Sequence, residues 1–132
     1  MSDPQITKQM LREHPSMAGM MQLPLYVVFS RPVAGLLPIM EQAEAHLQHQ
    51  ITLEKQGIMF AAGPLFGPDD SDWSCEGMFV IRAASIDEAT AIASQDPMHI
   101  AGARSFTVRP WLVNEGSISV TISLSQCSAS LA

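Results

Sequence analysis

Positive charge is scarce in this chain. Seven Lys and Arg residues stand against thirteen Asp and Glu, a formal net charge of −6. That balance excludes nucleic-acid recognition through a basic surface, because phosphate contacts need clustered Lys and Arg. It equally disfavours docking on anionic membranes. Long apolar runs are missing too, and a spanning helix needs about 20 such residues. Only two cysteines occur, Cys75 and Cys127, far apart in sequence. They fit no CxxC metal or redox spacing, so free thiols in a reducing cytosol are expected. The first residues include Asp3, Lys8, Arg12 and Glu13. No charged segment followed by an apolar one opens the chain, so no secretory signal is expected. GxGxxG, P-loop, GxSxG and paired Cys–His signatures do not occur, which removes the usual phosphate-cradling and nucleophilic motifs.

What is present is apolar. The 132 residues are 47% hydrophobic and 15% charged, a composition of one folded domain rather than of a disordered chain. Residues 1–24 read as an N-terminal arm, punctuated by Pro4, Pro15, Gly19 and Pro24, with room for two helical turns over Ile6–Glu13. Met10, Met17, Met20 and Met21 crowd that arm. They are either soft gap-fillers for a partner surface or a chance bias.

From Leu25 the pattern changes. Leu25–Phe29 is an apolar, β-branched and aromatic run, read as a buried strand. Pro38 suits the first turn of a helix, and Ile39–Gln56 contains neither Gly nor Pro before Gly57 stops it. Leu36, Met40, Ala43, Leu47, Ile51 and Glu54 recur at three- and four-residue steps, marking an apolar stripe toward a core. Ile58–Ala62 is a second strand, closed by Gly63-Pro64 and a polar loop from Leu65 to Glu76; Gly77–Arg82 is a third. Ser85-Ile86-Asp87-Glu88 is a capping box opening a second helix, which runs to about Gln95 before Pro97. Ser105–Arg109 alternates as a fourth strand before Pro110. The order strand, helix, strand, strand, helix, strand is the α+β, ferredoxin-like βαββαβ arrangement: an antiparallel sheet with both helices on one face. Ser117–Ser125 alternates apolar and hydroxyl residues strictly, predicting an extra, half-buried strand that pairs with an edge. A homodimer or higher oligomer packed sheet to sheet follows from that exposed edge. Gln126–Ala132 reads as frayed. The domain is thus placed at 25–113 and the C-terminal strand and tail at 114–132.

Few residues can do proton chemistry. The histidines are His14, His46, His49 and His99. His46 and His49 neighbour each other on the first helix, but with no third ligand in the pattern no metal site is expected. At about 100° per residue, His46 lies at the edge of the stripe beside Leu53, and His49 about 40° beyond Leu53 on the flank. A flank histidine either borders a cleft or is simply half exposed. Asp96 is expected near a helix C-terminus, where the macrodipole raises a carboxyl pKa unless a cation or donor sits beside it. Its alternative is an ordinary Asp-Pro turn. With two helices side by side, an Asp–His contact between them would hold one imidazole nitrogen as donor and leave the other as base. The loop holding Trp73 reads as a pocket wall or lid, or as a solvated turn.

In order along the chain, His49–Gly57, then Ala62-Gly63-Pro64-Leu65, then Asp96-Pro97-Met98-His99-Ile100-Ala101-Gly102, then Val108-Arg109-Pro110-Trp111 resemble the YCII-related family over roughly Leu25 to Val113. The resemblance implies a ferredoxin-like fold assembled as a dimeric α+β barrel. It implies a His–Asp active site, carried over to His49 and Asp96. Relatives of the fold include muconolactone isomerase and a dehydrochlorinase of a chlorinated hydroxyhydroquinone, so an isomerase or lyase of aromatic catabolism is what the resemblance suggests. Two departures, Met98 for a common aromatic and Met78 for a small hydroxyl residue, soften the pocket. The expected function is acid/base proton transfer, without cofactor or metal, on a small cyclic, phenolic or lactone-type molecule. Arg31, Gly63, Pro64, Leu65, Trp73 and Met78 are the candidate substrate-binding residues. The competing expectation is a non-catalytic module that binds a small ligand or drives oligomerisation.

Overall fold

The computed structural model describes residues 2–131. It divides into two compact units, residues 24–112 and the two chain ends, 1–23 with 113–132. In the terminal unit, α1 (Lys8–Glu13) is capped by Thr7, whose hydroxyl accepts from the Met10 amide at 3.1 Å. It stops at His14, which Pro15 holds in extended geometry.

The larger unit runs β1 (Leu23–Pro32), α2 (Leu36–Lys55), β2 (Met59–Phe66), β3 (Trp73–Ile81), α3 (Ile86–Ser94), the one-turn α4 (Pro97–Ile100) and β4 (Arg104–Val113). The four strands form one sheet in the order β2-β3-β1-β4. β3 pairs antiparallel with β1, Val28 opposite Phe79, and with β2, Ala62 also opposite Phe79. The βαββαβ order read from the sequence is therefore present, with α4 added after Asp96. Leu25, Tyr26, Val27 and Val28 are all buried, as an unbroken apolar run predicts. Tyr26, Val28, Phe79 and Ile81 pack on Ala89 and Ala93 of α3, with Ile58, Ile92 and Phe106 around them. Small residues on α3 let the helix lie close to the sheet.

Several boundaries move, for physical reasons. β2 continues through Gly63-Pro64 to Phe66, and β4 continues through Pro110 to Val113. Both are edge strands, where a proline removes no ladder donor. Gly57 ends α2 as expected: its φ is +75°, the Ile58 amide donates to Leu53 and the Gly57 amide to Glu54. Ser85 caps α3 through the Glu88 amide at 3.1 Å, but the return bond to Glu88 comes from the Ala84 amide, not from Ser85.

The C-terminal expectation is corrected. The alternating segment supplies β5 (Val120–Ser123), whose antiparallel partner is β6 (Ser128–Leu131), drawn from the stretch expected to fray. All residues of both strands are exposed rather than half-buried, because β5 finds its ladder in the chain's own tail. Ala132 lies outside the described residues.

Candidate active site

The site begins with a rotation of α2. Its buried line is Ile39, Gln50 and Leu53, with Ala43 and His46 between them at helical spacing. Leu36, Met40 and Leu47, expected at the stripe, are more than two-fifths exposed. The reason is the partner. Asp96 is fully buried, and a buried carboxylate needs donors more than the core needs another leucine. The helix therefore turns His46 and Gln50 inward.

Gln95 and Asp96 join α3 to α4, and Asp96 caps α4. Oδ1 accepts from the Met98 amide at 2.9 Å, and Pro97 occupies the first helical position, where no donor is lost. Asp96 does follow the C-cap of α3, its amide donating to the Ala93 carbonyl at 3.2 Å, but its carboxylate faces the start of a new helix, α4, which the sequence reading did not include. His46 Nδ1 lies 2.9 Å from Oδ1 and 2.8 Å from Oδ2. Gln50 Nε2 donates to Oδ2 at 3.2 Å. Burial pushes the Asp96 carboxyl up, but the hydrogen bond and charge of His46, with the Met98 amide, outweigh it and hold the pKa below the ordinary value.

The pair is therefore His46–Asp96, not His49–Asp96. His49 lies about 60° round the helix from His46 at this pitch. Its Nε2 is buried without a partner among the described residues, and it does not line the cavity.

His46 opens on a cavity of about 370 Å³ between α2 and the sheet. Met40, Leu47, Met98, Trp73 and Phe79 give it apolar walls. Of the six candidate binding residues, Gly63, Pro64, Trp73 and Met78 line it. Leu65 and Arg31 do not; Arg31 instead meets Glu76 at 3.7 Å in an exposed pair.

The cavity's cation is Arg104, at the start of β4 and only 5% exposed. A register slip in the β2–β3 ladder makes room for it. Leu65 faces Glu76 and Phe66 faces Trp73, so Ser74 and Cys75 are left unpaired between them. Cys75 takes φ +62°, and its carbonyl accepts from Arg104 Nε at 3.0 Å. Such bulges commonly re-aim groups beside a site. The Trp73 ring lies 5.8 Å from the guanidinium carbon.

His99 has a different task. Nδ1–H donates to the Ala93 carbonyl at 2.6 Å, so Nε2 accepts from the Ser30 hydroxyl at 2.7 Å. The ring stacks on Phe106 with centroids 4.4 Å apart, and burial pushes its pKa down. It is a neutral core histidine that ties α3 to β1. No group of three or more His, Cys, Asp or Glu side chains suited to a metal occurs among the described residues. No described helix is long and apolar enough to cross a membrane.

Residues 25–112 match the YCII-related domain. The chain belongs to the YCII-related family. No curated protein matches it significantly by sequence. A structural relative is the 5-chloro-2-hydroxyhydroquinone dehydrochlorinase of Burkholderia phenoliruptrix, solved with 2,5-dihydroxybenzoquinone. The identity is 25% and the TM-score 0.55, covering 66% of this chain and 92% of the relative. In this YCII-related domain the residues that sequence reasoning missed are His46 as the partner, Gln50 and Arg104. One signal was in view: His46 and Gln50 are four apart and so share a helix face with Ala43 and Leu53. Nothing local marks Arg104, whose side chain reaches the Cys75 carbonyl of β3 and the cavity from β4, two strands away in the sheet.

Proposed function

We propose that this YCII-related domain is a small enzyme that moves a proton with His46 and Asp96, driving isomerisation or elimination on a small cyclic, phenolic or lactone-type molecule. The observation that carries the reading is the two-oxygen grip of Asp96 on His46 Nδ1, at 2.9 and 2.8 Å, beside an apolar cavity. Donation from Nδ1–H to a carboxylate selects the tautomer whose Nε2 lone pair is free to act as base. Asp96 also stabilises the imidazolium that forms when Nε2 takes a proton. The structural relative, a dehydrochlorinase bound to a quinone, supports an electrophilic ring as substrate. In an elimination, the ring would react as its non-aromatic keto tautomer: His46 Nε2 would take a hydroxyl proton, the electrons of the broken O–H bond would form a carbonyl and shift the ring double bond, and the leaving group would depart with its own bonding pair as an anion. We extend the reading to a cytoplasmic homodimer.

The test is turnover by the purified chain. Chloride release from 5-chloro-2-hydroxyhydroquinone is measured for wild type and His46→Ala. Loss of the base lowers kcat by about 10²–10⁴-fold, the usual scale of positioned proton transfer, while circular dichroism stays unchanged. Undiminished turnover in His46→Ala sinks the assignment. His49→Ala, whose ring is off the cavity, retains kcat.

A further inference from the structure

We propose that the cavity holds its substrate as an anion, with Arg104 as the subsite for an ionised oxygen and Gln50 as the acceptor for a hydroxyl of the same ring. This rests on the reading of the cavity as a substrate site, and narrows the substrate class to planar rings carrying an enolate, phenolate or carboxylate oxygen.

Arg104 is a buried cation with donors to spare. Its Nε is committed to the Cys75 carbonyl, yet among the described residues no hydrogen bond or ion pair takes its two Nη groups. The group is held in place without them. A Cβ at Gly77 would stand 3.1 Å from Nη1, so the glycine leaves the space in which the guanidinium lies. Trp73 shields another side. The side chain is largely withdrawn from water, its Nη atoms are not among the fully buried ones, and a cation so placed favours an opposite charge or strong acceptors that reach it. Asp96 cannot be that partner by contact, because His46, Gln50 and the Met98 amide already take its oxygens. The other nearby carboxylate, Glu76, pairs with Arg31 at the surface. The planar fork of Arg104 is left for an incoming oxyanion, which it can grip with two parallel hydrogen bonds.

Gln50 supplies the second observation. It is 7% exposed and lines the same cavity. Its amide nitrogen faces Asp96; the reverse orientation would set an amide oxygen against a carboxylate. Oε1 is therefore fixed as an acceptor, and among the described residues it is buried with no partner. A buried acceptor without a donor is costly, and a substrate hydroxyl relieves that cost. Arg104, Gln50 and His46 thus line one apolar chamber, the pattern of a site with a few placed polar groups.

Calorimetric titration of the full chain tests this. The probes are 2,5-dihydroxybenzoquinone for an ionised ring oxygen, 2,5-dihydroxybenzoate for a carboxylate, and 2,5-dimethoxybenzoquinone as a neutral ring. At least one ionised probe binds wild type tenfold or more tightly than the neutral one, and the tighter of the two identifies the kind of anion. Arg104→Met loses that preference and leaves the neutral probe unchanged, while Arg104→Lys keeps part of it. Gln50→Met weakens the hydroxyl-bearing benzoate several-fold. Equal binding of ionised and neutral probes by wild type, no binding of either ionised probe, or full affinity in Arg104→Met overturns the anion subsite. The wild-type comparison decides even where a variant fails to fold. Binding without any turnover counts against the catalytic reading alone; turnover without an ionised preference counts against the subsite alone.

Discussion

Asp96 organises its neighbourhood because a carboxylate with no exposure must be satisfied from every side. One oxygen caps α4, both meet His46, and one takes Gln50. Asp96→Asn removes the charge and reverses part of this hydrogen-bond polarity. Hydrogen bonds to charged groups contribute about 1.5–3 kcal/mol each, so the variant is expected to lose stability on that scale in urea unfolding at pH 7. The pH dependence has a definite sign. Asp96 has a folded pKa below the model-peptide value of 3.8, so its contribution is fully present above that pH. It is lost as pH falls through the depressed folded value. The gap between wild type and Asp96→Asn should therefore close in acid. A gap that stays constant down to acid unfolding would mean the carboxylate is not the stabilising species. His99 acts earlier with the same sign. Its folded pKa is depressed from 6.5, so stability falls as pH drops below 6.5 and the unfolded imidazole takes its proton first.

At the scale of elements, caps and breakers were legible and rotation was not. Ser85, Gly57 and Pro97 each act locally, and the structure shows each terminating or starting a helix near the expected place. Ser85→Ala removes one satisfied amide at an exposed helix end and is expected to cost about 1 kcal/mol, read as a lower urea midpoint at an unchanged slope. An unaltered midpoint would show the cap to be idle. The facing of α2 is a different kind of fact. Leu36, Met40 and Leu47 are as apolar as any core residue, and periodicity assigned them inward. Met40 and Leu47 instead line the cavity, while polar His46 and Gln50 take the line beneath. The family resemblance points to His49, whereas the facing of α2 seats His46 on Asp96. Prolines misled in the opposite direction: Pro64 and Pro110 looked like strand ends, but each lies within an edge strand.

At the scale of the whole molecule, the larger unit leaves an apolar recess of about 370 Å³ lined by Val27, Phe29, Met78, Arg109, Pro110 and Trp111. An apolar recess of this kind on the sheet favours a second copy. Sedimentation equilibrium at micromolar concentration is expected to give twice the chain mass, and Trp111→Glu to shift it toward the monomer. A wild-type chain that stays monomeric at every concentration would refute the assembly. The element order and the α+β class came from the sequence by itself, because strand alternation and helix caps are encoded over a few neighbouring residues, while Asp96 was singled out over an ordinary Asp-Pro turn only by the family resemblance. Which histidine meets that aspartate, that Arg104 rather than Arg31 charges the cavity, and that β5 pairs with the chain's own tail were decided only by tertiary structure. Those contacts join residues 29 to 50 positions apart at the site, and depend on helix rotation and a strand bulge that no local pattern specifies.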